Sequence, residues 1–120
     1  MAQEPIDRLR RICLSLPEVT ERLSHGEPSW FVGKRQFVTY ADRHHDDKIA
    51  FWCAAPPGAQ ETLADADPGQ FFRPPYVGGR GWLGVRVDNG PDWVFVADLV
   101  RDAYCEVAPA RLVALIGPDA

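Results

Sequence analysis

Cysteine is scarce and scattered in this chain. Cys13, Cys53 and Cys105 lie far apart, with no CxxC pair. An odd, dispersed set supplies neither a disulfide framework nor the clustered thiolates of a structural zinc site, and free thiols fit a reducing compartment. No apolar run approaches the ~18 residues a membrane span needs. The Met-Ala-Gln-Glu-Pro start lacks the basic region and apolar core of a secretory leader. The expectation is a soluble, cytoplasmic protein with no membrane association. An excess of positive charge is missing too: the formal net charge is −4. Nucleic-acid binders are usually basic on at least one face, so such a role requires cations gathered locally.

Chemical motifs are equally sparse. Ser15, Ser24 and Ser29 have no nucleophile-elbow context. The glycines of residues 78–81 do not follow GxGxxG and precede no Lys-Ser/Thr, so they form no nucleotide cradle. His44, His45, Asp46 and Asp47 are four potential metal ligands in a row, but no second cluster stands near them. A solvated turn accounts for them better than a metal site. His25 and Glu27 could form an acid–base pair, although a His shaping the entry to a strand is the simpler reading. Cys13 and Cys53 fall on apolar stripes and read as inert core thiols. No catalytic constellation, metal site or cofactor motif emerges, and the expectation is a protein that binds without transforming.

What is present is one domain's worth of chain, residues 1–120, whose 46% hydrophobic content can bury a core without metal or disulfide support. Pro5 to Leu16 reads as a helix, with Ile6, Leu9, Ile12, Cys13 and Leu16 at helical spacing. Pro5 suits the first turn and Pro17 the stop. Glu18 to Pro28 reads as irregular, with a helical turn around Thr20 to Leu23. Three strand-like segments follow at Ser29–Val32, Gln36–Ala41 and Lys48–Ala54, joined by short turns into a meander. Ala59–Asp65 reads as a short helix. Phe71–Val77 and Gly81–Val87 read as a second hairpin joined through Gly78-Gly79-Arg80-Gly81. Asn89-Gly90-Pro91-Asp92 resembles the start of a helix that carries the stripe Val96, Leu99, Val100, Ala103, Tyr104 and Val107, and Pro109 opens a last short helix. Antiparallel hairpins flanked by N- and C-terminal helices make an α+β fold.

The most suggestive stretch is Pro68 to Val87. It holds Arg73, Arg80 and Arg86, no acidic residue, and the rings of Phe71, Phe72, Tyr76 and Trp82. Guanidinium groups beside stackable rings and close-approaching glycines suit nucleic acid. Glycines that only close a turn and rings that only fill the core fit the same residues. Lys34 and Arg35, in another turn, could add charge.

Four blocks carry a resemblance to the MmcQ/YjbR family: CLSLPEVTE at Cys13–Glu21, HGEPSWFVGKRQF at His25–Phe37, DPGQFFRPPYVGGRGWLGV at Asp67–Val85, and DAYCEVAPARL at Asp102–Leu112. The resemblance implies a double-wing, frataxin-like α+β fold and a DNA-binding role. The family's basic positions fall on Lys34 and Arg35, and its glycine-flanked cation on Arg80. One namesake belongs to an antibiotic cluster, which implies drug binding or self-resistance as the alternative. Pro109-Ala110-Arg111 has one cation fewer than the family pattern, and Val94 and Phe95 replace polar residues. Two readings result. Either Lys34, Arg35, Arg73 and Arg80 contact DNA, or a sheet-side cavity lined by some of Trp30, Phe51, Trp52, Tyr76 and Trp82 takes a small planar aromatic ligand.

Overall fold

The computed structural model describes residues 4–43 and 47–116; His44, His45 and Asp46 lie outside the described residues. Helix α1 (Pro5–Leu14) starts on proline, with Asp7 in its first turn and Arg11 in its last, both charges complementing the helix dipole. It stops short of Leu16 because the Ser15 hydroxyl donates back to the Ile12 carbonyl at 2.7 Å. Strands β1 (Val19–Ser24), β2 (Glu27–Val32), β3 (Arg35–Asp42) and β4 (Ile49–Cys53) precede helix α2 (Ala59–Ala66). After it come β5 (Phe71–Phe72), β6 (Leu83–Arg86), α3 (Trp93–Val107) and α4 (Ala110–Ile116). The six strands form one antiparallel sheet in the order β1-β2-β3-β4-β6-β5.

Two sequence expectations need correction. The segment expected to be irregular with a helical turn is an edge strand, β1, paired along its whole length with β2. Its two-residue turn uses His25 at φ 53° and Gly26 at φ 82°, the positive-φ pair whose twist suits a tight hairpin. The second hairpin does pair β5 with β6, but β5 is two residues long. Pro74 and Pro75 have no N–H to give a ladder, so the chain leaves the sheet. Residues 73–82 form an excursion containing one 3₁₀ turn at Gly78–Arg80.

Residues opposite one another in an antiparallel pair share a face of the sheet. Trp30, Val38, Cys53 and Leu83 form one such row, and Tyr40, Phe51, Val85 and Phe71 form another. These rows face the helices, where α3 buries Val96, Leu99, Val100, Ala103, Tyr104 and Val107. Phe37 is the extra residue of a β-bulge between the Trp30–Val38 and Phe31–Gln36 pairs, so it and Val38 both turn inward. Phe37 meets the Tyr104 ring edge-on at 5.7 Å. Each large side chain buried this way contributes about 1.5–3 kcal/mol, and the fully buried set includes Trp30, Tyr104, Phe37 and Phe51. The Asp92 carboxylate caps α3 by accepting from the Val94 and Phe95 amides. The other face carries the row Ser29, Thr39, Trp52, Gly84 and Phe72. The excursion borders this face.

Candidate functional site

The excursion is fixed to the domain by a buried glutamine. The Gln60 amide donates to the Gly78 carbonyl at 2.9 Å and to the Trp82 carbonyl at 2.5 Å. The Arg73 side chain runs along Gly78 and occupies the space a Cβ there would need, its Cγ only 2.6 Å from that point, which is why this position takes glycine. Trp82 is thereby pressed inward to 5% exposure. Tyr76 stands at φ 65° and is 77% exposed. A non-glycine residue in this left-handed region costs roughly 1–2 kcal/mol, and such strain concentrates where a side chain is held for use.

Between the excursion, the open sheet face and the β1–β2 turn lies a hollow of about 640 Å³. Trp52, Trp82 and Tyr76 give it aromatic walls; His25, Glu27, Gln36, Thr39 and Arg80 add polar groups. Several of these are pinned. Glu27 accepts from the Asp42 amide at 2.9 Å, and the Thr39 and Ser29 hydroxyls meet at 2.8 Å. Tyr40, on strand β3, also borders the hollow; burial foremost and then the charges of Asp42 and Glu27 push its phenol up to about 12.

A second hollow, about 540 Å³, shares the walls Gln36, Arg80 and Trp82 and adds Phe31, Lys34, Arg35 and Glu106. The Arg80 guanidinium lies 5.1 Å from the centre of the Trp82 ring, and Arg22 stacks on Phe31 at 3.8 Å. Elsewhere Arg10 pairs with Asp7 and Glu21, Arg43 with Asp42, Arg86 with Asp88 and Arg111 with Glu18. Lys34, Arg35 and Arg80 form no ion pair among the described residues.

The residues singled out from the sequence therefore separate. Lys34 and Arg35 line one hollow, Trp52 and Tyr76 the other, and Arg80 and Trp82 line both. Arg73 lies along Gly78 and Gly79 rather than in either. Trp30 and Phe51 do not line the cavity: both are fully buried on the helix-covered face, and the Trp30 indole donates to Glu21 at 3.0 Å. The bulge at Phe37 and the period-two alternation decide this, since they turn the Trp30 row toward α3. His25 and Glu27 line the first hollow as well as shaping the strand entry. Gln36 and Thr39 were missed, although polar residues in a strand otherwise rich in aromatic and β-branched side chains mark a wetter face. Cys13 and Cys53 are buried and free, and Cys105 is free and exposed. Desolvation raises the Cys13 thiol well above its usual value and pushes Cys53 up to about 12. Among the described residues no group of three or more His, Cys, Asp or Glu side chains could hold a metal ion, and no helix is long and apolar enough to cross a membrane.

These elements define an α+β domain: a six-stranded antiparallel sheet with N- and C-terminal helices on one face and a pocketed excursion on the other. Comparison with known proteins places that domain. The YjbR family model matches residues 14–106, and the chain belongs to the YjbR family. Its fold is similar to the crystal structure of Deinococcus radiodurans protein DR2400, a domain described as DUF419. The TM-score is 0.75 at 20% identity, covering 92% of this chain and 83% of that one. At that identity the likeness is one of fold. No curated protein matches the chain.

Proposed function

We propose that the protein is a non-enzymatic binder of a planar aromatic small molecule, held in the hollow between the open sheet face and the excursion. The observation that carries this reading is the composition of that cavity. Its volume of about 640 Å³ falls in the range of roughly 300–1,000 Å³ typical of small-molecule sites. Two buried indoles and one exposed phenol line it, with a few polar groups placed to orient a guest. Stacking on such rings contributes about 0.5–1.5 kcal/mol beyond the area buried. Glu27 and Thr39, already engaged in hydrogen bonds, would be rigid rather than adaptive partners.

The test is calorimetric titration with 1-naphthol. A fragment of this size in a preformed aromatic site binds with a dissociation constant of about 0.1–1 mM, and Tyr76→Ala weakens it at least threefold. Absence of any saturable heat overturns the proposal.

A nucleic-acid role is the second reading, favoured by Lys34, Arg35 and Arg80 gathered at one hollow with no ion pair among the described residues. Three duplex phosphates give a log–log salt slope of about −2.7. A flat salt response, or no binding of duplex at low salt, removes it.

A further inference from the structure

We infer that the ligand carries an anionic group, phosphate or carboxylate, attached to its aromatic part, and that Lys34, Arg35 and Arg80 hold that group in the hollow beside the ring-binding one. The inference rests on the reading just given and adds the ligand's charge and its direction of approach.

Its basis is the geometry of the two hollows and the fate of the cations around them. The hollows are not separate sites. Gln36, Arg80 and Trp82 form a common wall, so a group seated on Trp82 on one side can project a substituent past Gln36 to the other. Across that wall the character changes: Trp52, Thr39 and Glu27 lie on one side, Lys34 and Arg35 on the other, with Arg80 between them and Glu106 as the one carboxylate among the described residues that line the second hollow. Two positive charges remain in excess there, in a chain whose formal net charge is −4.

Lys34, Arg35 and Arg80 converge on one hollow with no ion-pair partner among the described residues, whereas the arginines at positions 10, 43, 86 and 111 each pair with a carboxylate. Lys34 and Arg35 sit in and beside a two-residue turn, next to Gly33 at φ 61°. The turn fixes their backbone while leaving the side chains exposed. Arg80 ends the 3₁₀ turn that Gln60 holds in place, and its guanidinium rests on the Trp82 ring. A guanidinium stacked on an indole keeps its edge N–H groups for an acceptor in the ring plane, the arrangement that suits a phosphate or carboxylate.

The experiment compares 1-naphthol, 1-naphthyl phosphate and inorganic phosphate by calorimetry at 50 and 500 mM salt. The expected result is that naphthyl phosphate binds at least tenfold more tightly than naphthol at low salt, and that high salt removes most of this advantage. K34Q/R35Q brings the two probes within twofold of each other. R11Q, which removes the same kind of charge from helix α1, leaves the ratio as it was. Circular dichroism and the melting curve of each variant exclude misfolding as the cause. Equal affinity for naphthol and naphthyl phosphate overturns the inference while the aromatic site stands. An advantage that survives K34Q/R35Q, or falls equally in R11Q, also overturns it, because long-range charge then does the work. If neither naphthyl probe binds, the aromatic reading itself has failed, and the inference falls with it. Inorganic phosphate alone binds at least tenfold more weakly than naphthyl phosphate; equal affinity would leave the ring without a role and overturn the coupling of the two hollows.

Discussion

Gln60→Leu removes the strut that holds the excursion against the sheet while nearly conserving side-chain volume. Gln60 is 4% exposed and donates to the carbonyls of Gly78 and Trp82. Each hydrogen bond contributes about 0.5–1.5 kcal/mol net, and a buried carbonyl left without a donor adds about 1–3 kcal/mol. The Gly78 carbonyl keeps the Gly81 amide at 3.0 Å, so the heavier loss falls at Trp82. Greater burial of an apolar side chain offsets part of this, leaving a destabilisation of about 2–3 kcal/mol. Urea unfolding followed by tryptophan emission should show the midpoint lowered by about 1–2 M with an unchanged slope. Because the outer wall of the cavity loosens, 1-naphthol should also bind more weakly in urea-free buffer. A midpoint within ~0.3 M of the unsubstituted protein would refute the reasoning, since the excursion would then be held by Trp82 and Arg73 packing alone.

Other outcomes follow from the same geometry. Gly84→Ala places a methyl group into the Phe72 ring and should cost about 1–3 kcal/mol by overpacking, read as a lower melting temperature. At pH 8 the native protein should expose one thiol, Cys105, to a disulfide reagent, and all three only after denaturation; burial keeps Cys13 and Cys53 protonated as well as covered. Hydrogen bonds from Arg111 and Arg86 hold the carboxyls of Glu18 and Asp88 below their ordinary values of 4.5 and 3.8. A depressed folded-state pKa gives stability that is full above the unfolded value and lost as pH falls through the folded one. Unfolding free energy should therefore drop on acidification below about pH 4.5, and E18Q/D88N should flatten that limb.

The core and most elements were legible because their signals are local. The 3.6-residue stripe from Val96 to Val107 could only be a helix facing the sheet, and Pro5 and Asp92 mark real helix starts. Strand β1 was not legible. It is an edge strand whose Thr20, Arg22 and Leu23 are exposed, so it lacks the one-sided apolar alternation that identifies a strand. Its His25-Gly26 turn is not one of the common hairpin dipeptides. The aromatic run from Phe71 invited a long strand, and Pro74-Pro75 was the signal against it. The site divided along the same line. Aromatic and cationic residues of the excursion could be picked out by composition, whereas the face to which Trp30 turns depends on pairing register and on the Phe37 bulge. The role of Gln60 depends on tertiary contact with residues 18 and 22 positions away, which no window of sequence reveals.

The four indole N–H signals of the protein offer the most direct measurement. A ¹H–¹⁵N titration with 1-naphthyl phosphate reads Trp52 and Trp82, which line the cavity, separately from Trp30 beneath the helices and Trp93 at the start of α3. Saturable shifts of Trp52 and Trp82 with Trp30 and Trp93 unmoved are the predicted result. Shifts confined to Trp30 or Trp93, or none at saturating probe, contradict a binding site on the open face of the sheet.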